Sequence, residues 1–468
     1  MASSRKSKPS KPVSTDLVSR VSSHIRDVVE PGARLVVGLS GGVDSVVLLE
    51  VLSRIAKRRR FALAALHVNH QISPNAGRWA AFCRTICRAR GIPLRVARVN
   101  VKGGDSLEAA ARAARYDALF SQKADYIALA HNQDDQAETV LLQLLRGAGV
   151  KGLAAMPLVR RDEGGGMREE GKILKKGHPS ILRPLLGVPR AEIEAYAKRR
   201  KLAWIEDESN ADVYFLRNFM RREVLPLLNS RFPAYRTTLA RSARHFAEAA
   251  QMLDELAASD GAGCLRDGAL LIAGLRRLSR ARAKNLLRYF LAVRRVVMPN
   301  ADRLEEALRQ ALTAKADAAV CIDLGTCELR RFAGALHVAG KTALPAAAIS
   351  RAWRGERELT LPELNGVLTM TRRRGAGISL ARLAAKPVTL RLRRGGERLQ
   401  PDCRRPSRSL KNLLQEAGVP PWRRDGLPLL FCGGDLVWAP GIGIACKYQA
   451  KEGEPALMPG WRAAAGSG

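Results

Sequence analysis

No Gly-x4-Gly-Lys-[Ser/Thr] occurs anywhere in the 468 residues, so the chain is not an ordinary P-loop protein. There is no apolar run near ~18 residues, which excludes a membrane-spanning helix. The eight cysteines stand at 83, 87, 264, 321, 327, 403, 432 and 446, and none forms a Cys-x-x-Cys. Their irregular spacing in so long a chain argues for reduced, mostly buried thiols and a cytoplasmic setting. No internal repeat is visible. Acid is scarce: 44 Asp and Glu face 79 Lys and Arg, a formal net charge of +35. An excess of that size calls for a polyanionic partner, and nucleic acid is the first candidate. The length and a hydrophobic content of 46% imply a folded protein of several domains.

What is present begins with Ser40-Gly41-Gly42-Val43-Asp44-Ser45. The apolar run before it, from Arg34 to Leu39, reads as a buried parallel strand, and Val46 to Leu52 reads as a helix. A Gly-rich turn at the positive end of a helix offers several backbone N–H groups to phosphate. Ser40 and Ser45 can add hydroxyl bonds, and Asp44 can hold Mg²⁺ against phosphate oxygens.

From Val18 to about Asn229 strand and helix patterns alternate, which predicts an α/β, doubly wound parallel sheet with ligands at the carboxyl ends of its strands. The strands are expected at Leu35–Leu39, Leu63–Val68, Leu94–Val99 and Tyr126–Ala130. The expected domains are a basic tail (1–17), a nucleotide domain (18–230), a helical domain (231–342), a linker (343–385) and a small α+β or β-rich C-terminal domain (386–468). Arg160 to Pro179 reads as a Gly-rich surface loop. Arg372 to Arg408 is the densest basic stretch, twelve Arg and Lys against Glu397 and Asp402.

A second constellation is His131-Asn-Gln-Asp-Asp135-Gln-Ala-Glu138-Thr139, after a predicted strand and opening a helix. His131, Asp135 and Glu138 can share one helical face. Beside the Ser40–Ser45 loop they can bind Mg²⁺, position a nucleophile and move a proton. His67 and Asn69 end the second strand, where they can touch adenine or ribose or simply cap the strand. Arg112 and Arg115 share a helical face, suited to neutralising phosphate charge or to surface ion pairs. The acidic run Glu206–Asp212, followed by Arg217, Arg221 and Arg222, could hold an ammonium-bearing substrate while gripping phosphate, or cap a solvated helix. The candidate catalytic residues are Asp44, Arg115, His131, Asp135, Glu138 and Arg217. Asp44 and Asp135 are the candidate metal ligands, and Ser40–Ser45 with His67 and Asn69 the nucleotide contacts.

Taken together the motifs SGGVDS (40–45), HVNH (67–70), ARYDAL (114–119), HNQDDQAET (131–139), RPLL (183–186) and EDESNADVYFLRN (206–218) resemble the bacterial tRNA(Ile)-lysidine synthetases. Residues 393–430 resemble the C-terminal domain of the longer members. Gln71 departs from the family pattern, in which glycine follows His70. The resemblance implies an N-type ATP pyrophosphatase fold, with ATP, Mg²⁺, free L-lysine and a tRNA(Ile) with a CAU anticodon as its partners, no membrane, and room for a homodimer. It implies that ATP adenylates the C2 oxygen of the wobble cytidine and that the lysine ε-amine then displaces AMP. A tRNA thiolase on the same loop is the rival enzyme, disfavoured by the missing Cys-x-x-Cys. An RNA-binding protein with an inactive nucleotide site is the rival outside catalysis, disfavoured by the intact Asp44, Asp135 and Glu138.

Overall fold

The computed structural model describes residues 16–463 except 101–106, 161–167, 170–171, 174–177, 207–215, 316–317, 319, 342–348 and 365. The basic tail up to residue 15, most of the Gly-rich loop, and the acidic run from Asp207 onward therefore lie outside the described residues. The chain divides into two compact units, residues 1–258 with 292–295, and residues 259–291 with 296–468.

The first unit is built on a six-stranded sheet. Its strands β1 (Arg34–Gly38), β2 (Ala62–Asn69), β3 (Leu94–Arg98) and β4 (Tyr126–Ala128) run parallel in the order β3-β2-β1-β4. Strand Ser180–Leu182 adds a fifth parallel member beside β4, and Val159–Arg160 closes the edge antiparallel. The doubly wound sheet expected from the sequence is present, one to two residues from the expected bounds. The sheet extends further than expected, because the strand Ser180–Leu182 follows directly on the segment 160–179 that reads as a surface loop, and Val159–Arg160 pairs with it. Three residues are too few to carry a periodicity of their own.

Helices α1 (Leu17–Arg26), α2 (Val43–Arg59), α3 (Ala76–Arg88), α4 (Leu107–Phe120) and α5 (Gln133–Leu145) accompany these strands. Ten residues of α2 are buried, among them Val46, Val47, Leu48, Leu49, Val51 and Leu52, each at most 2% exposed, so this helix is embedded in the core and not laid on it. That burial fixes the start of α2, and with it the loop after β1. Strand order reverses between β1 and β4, and the crevice at such a switch point is where open α/β sheets bind ligands.

The residue that departs from the family pattern, Gln71, has φ +56°, a left-handed backbone that favours glycine. Its N–H donates to Asn69 Oδ1 at 2.8 Å, and its Nε2 donates to the Val99 carbonyl at 3.3 Å. These bonds offset the strain. Gln71→Gly relieves the strain but loses the Nε2 bond, so we expect its unfolding free energy to stay within ~1 kcal/mol of wild type in urea titration. A loss well beyond that would show the side chain to be a main support of the turn.

In the second unit, the region expected to be helical is only half so. Helices Ile272–Arg277, Arg280–Val293 and Ala301–Thr313 pack on a five-stranded antiparallel sheet made from Leu265–Arg266, Ala269–Leu271, Cys321–Asp323, Cys327–Phe332 and Ala335–Gly340. Cys327–Phe332 alternates buried and half-buried positions, the period of two proper to a strand, over only six residues. The segment 343–385 is also not a linker. Ser350–Trp353 pairs with Val388–Arg391, and Gly366–Arg374 pairs residue for residue with Pro455–Ala463, from Gly366 opposite Ala463 to Arg374 opposite Pro455. The C-terminal β-rich body therefore starts near residue 350. Cys403 and Cys446 are joined as a disulfide, which corrects the expectation of reduced thiols for this pair. The other six cysteines are free, and all but Cys321 are buried.

Candidate active site

The loop after β1 is shaped by its own hydroxyls. Ser45 Oγ accepts from the Gly41 N–H at 3.1 Å and donates to the Gly42 carbonyl at 3.0 Å, while Ser40 Oγ accepts from the Gly42 N–H at 3.3 Å. Gly41 has φ +96°, and a Cβ there would sit 2.7 Å from Ile205 Cδ1. The Ile205 N–H donates to the Gly41 carbonyl at 2.9 Å. Only glycine fits this turn, which brings the first N–H groups of α2 and the Asp44 side chain to the carboxyl edge of the sheet.

Asn132 ties that loop to the one after β4. Its side-chain oxygen caps α5, accepting from the N–H groups of Asp134 and Asp135, while Asp135 Oδ2 accepts the Asn132 N–H at 3.0 Å. This is a capping box with aspartate at its third position. The Asn132 amide, 1% exposed as a residue, then donates to Asp44 Oδ1 at 3.2 Å. One buried asparagine thus holds the two candidate metal ligands at the same place.

Glu138, 2% exposed, stands one turn further along α5. Its oxygens take Arg217 Nε at 3.2 Å and Arg221 Nε at 2.7 Å, and Arg221 also reaches Asp135 Oδ1 at 2.6 Å. Both arginines come from the basic run that the sequence reads as gripping phosphate or as a solvated helix face; the sequence proposes a catalytic role for Arg217 and none for Arg221 by itself. The third carboxylate of the segment, Asp134, points elsewhere, to Arg236 and to the Arg190 N–H at 3.0 Å.

Burial pushes the Asp44 carboxyl up to about 6; the Arg190 charge opposes the rise and nearby Asp135 adds to it. Burial also raises Glu138, against the opposing pull of Arg221 and Arg217. With its carboxyl at about 6, Asp44 can take a proton near physiological pH.

His131 precedes α5 and is not on its face, which corrects the expected shared face of three residues. Arg183, 2% exposed and present in the sequence reading only as the first residue of RPLL with no role of its own, donates through Nε to His131 Nδ1 at 3.3 Å and through Nη1 to the Pro157 carbonyl at 3.1 Å. Burial, reinforced by the charges of Arg183, Arg112, Arg217 and Arg115, holds His131 well below its ordinary value. The ring is neutral, with Nδ1 accepting and the proton on Nε2. Arg115 is on α4, and its charge also bears on His70, which burial pushes down to about 4.

His67 and Asn69 are occupied locally. His67, 3% exposed, donates from Nδ1 to the Leu39 carbonyl at 2.9 Å and so braces the strand that feeds the loop. Asn69 accepts from Gln71 and donates to the Ala76 carbonyl at 3.3 Å. These bonds agree with the reading in which the two residues cap the strand; a contact with adenine or ribose is the other reading open in the sequence.

Three family models match the chain: a PP-loop domain over residues 14–228, a TilS substrate binding domain over 270–337 and a TilS substrate C-terminal domain over 388–461. The tRNA(Ile)-lysidine synthase of Nitrosomonas europaea is 47% identical over 449 residues, 96% of this chain and 96% of its own. That of Azoarcus sp. is 42% identical over 92% of each chain. That of Coxiella burnetii is 38% identical over 89% of this chain and 90% of its own.

Proposed function

This chain belongs to the tRNA(Ile)-lysidine synthase family, and on that premise we propose that its Asp44–Asp135–Glu138 cluster is where the wobble cytidine of a CAU-anticodon tRNA(Ile) is first adenylated and then joined to L-lysine. The observation that carries the reading is the convergence of three carboxylates at the end of an ATP-binding loop, Asp44 and Asp135 joined through Asn132, and Asp135 and Glu138 through Arg221, with Arg217 also on Glu138.

In the first step the cytidine O2 attacks the α-phosphorus of ATP, and the bond to pyrophosphate breaks. The loop N–H groups at the start of α2 hold the departing phosphates. The hard oxygens of Asp44 and Asp135 suit Mg²⁺, which takes one or two carboxylates and completes its shell with phosphates and water. Asp44 and Asp135, both bonded to Asn132, would hold it as a pair. When bound, Mg²⁺ supplies charge neutralisation for the pyrophosphate. In this reading Arg115 and Arg217 stabilise charge on the α-phosphate, supported by the pairing of Arg217 with Glu138 and by the charge of Arg115 on His131.

In the second step the lysine ε-nitrogen attacks C2, and the C2–O bond to AMP breaks. The ammonium must lose a proton before it can attack, and we assign that acceptance to Glu138, whose proton affinity burial raises and which pairs with Arg217. His131 is neutral and its Nδ1 is engaged, so we assign it to orienting the substrate through Nε2–H and not to accepting that proton. ATP and free tRNA as substrates support a cytoplasmic enzyme, and among the described residues no helix is long and apolar enough to cross a membrane.

The test is a reconstitution with purified protein, ATP, Mg²⁺, L-lysine and the CAU tRNA. Pyrophosphate and AMP are expected in equal amounts, with lysidine at the wobble position. Modification that requires a sulfur source in place of lysine would replace this reading with that of a thiolase.

A further inference from the structure

The place between Asp135 and Glu138 is already held by a cation of the chain itself. The Arg221 guanidinium bonds Glu138 Oε2 at 2.7 Å and Asp135 Oδ1 at 2.6 Å, and its charge also reaches Asp44. So placed, one side chain binds both acids that the reaction needs open to a substrate cation. Neither acid depends on Arg221 alone: Asp135 keeps the Asn132 N–H at 3.0 Å, and Glu138 keeps Arg217 at 3.2 Å. Withdrawal of Arg221 leaves no bare buried charge, which makes the pairing reversible where a lone buried pair would be locked.

The backbone under Arg221 is also unusual. Met220–Val224 is wound as a π-helix between the α-helical Leu216–Phe219 and Leu225–Arg231. Short π segments inside α-helices are rare and concentrate at functional sites. Tightening this turn to α geometry changes the direction in which Arg221 projects, since each residue of register is worth about 100° around the helix.

We propose that Arg221 is a resident counter-ion, holding Asp135 and Glu138 in place until a substrate-borne cation displaces it. That cation is either a divalent metal ion arriving with nucleotide phosphates or the ammonium of lysine. The inference rests on the reading of the site given above, but its test uses neither tRNA nor turnover.

Full-length wild type and Arg221→Gln are titrated, without ATP or tRNA, with Mn²⁺ followed by electron paramagnetic resonance and with L-lysine followed by calorimetry. Arg221→Gln is expected to bind one of the two at least ~10-fold more tightly than wild type, and the ligand that gains identifies the displacing cation. A folded variant that gains affinity for neither overturns the proposal and leaves Arg221 a fixed ion-pair partner, whether or not lysidine forms in the reconstitution. If Arg221→Gln does not fold, hydrogen exchange of the wild type decides. Mg²⁺ with ATP, or lysine, must speed exchange of the Met220–Val224 amides, and unchanged or slower exchange with both overturns it.

Discussion

Asp44→Asn is expected to abolish adenylation and, at the same time, to make the free protein more stable at pH 8. Loss of one charge-stabilising element at a transition state typically costs ~10²–10³ in rate, read here as pyrophosphate release. The stability gain follows from burial, which lifts Asp44 to about 6. An ordinary aspartate titrates near ~3.9, so ionised Asp44 opposes folding by on the order of 2–3 kcal/mol once the pH is well above 6. The folded value is the raised one. The folded state therefore binds the proton more readily, and stability rises as pH falls from above 6 toward 4. Asparagine can still take the Asn132 amide on its oxygen and carries no charge, so its advantage should be full at pH 8 and shrink as pH falls through about 6. Urea titrations of both proteins across that range measure it. Wild-type pyrophosphate release from the variant would remove Asp44 from the site, and equal stability at pH 8 would refute the buried-charge account.

Replacing Arg372, Arg373 and Arg374 together by Gln should weaken tRNA binding at least ~10-fold near 0.1 M salt while leaving ATP binding unchanged. All three are exposed, on a strand whose backbone pairing does not involve their side chains. Each phosphate contact removed takes ~0.7–0.9 from the slope of log K against log salt, so a reduction of about 2–3 is expected. The three belong to the second unit and the ATP loop to the first. An unchanged slope would make this stretch a solvated face and move the tRNA grip elsewhere. Point replacement is the right experiment because truncation at residue 370 would cut the strand Gly366–Arg374 and remove its partner Pro455–Ala463.

The parts of this molecule legible in the sequence are those with a local signature. The loop Ser40–Ser45, the parallel strands and the spacing of Asp135 and Glu138 each depend on residues within one or two turns of each other. Parts that depend on distant partners were not legible. Asn132 reads as an ordinary helix cap until Asp44 is seen beside it. Arg183 stands in the RPLL motif and Arg221 in a basic run, but nothing local says what either bonds, and only the fold brings them to His131 and Glu138. The spacing of His131 suits a shared helical face, but with Asn132 as the cap the helix begins at Gln133, two residues too late for that. The sheet of the second unit escaped because its strands are two to six residues long, and Cys403 and Cys446 find each other across a separation of 43.

The long antiparallel pairing in the C-terminal body also sets an order of events during synthesis. Arg372 lies opposite Leu457, so the strand Gly366–Arg374 emerges from the ribosome roughly eighty residues before its partner. At about 5–20 residues per second it waits several seconds with unsatisfied backbone groups along that edge. An open strand edge of this kind invites pairing with a neighbouring chain, and a row of positive charges is one of the ways such edges are kept apart. The three arginines at the end of this strand are then useful before any tRNA is bound: like charges on two nascent chains repel, and the strand is kept for the partner that arrives last.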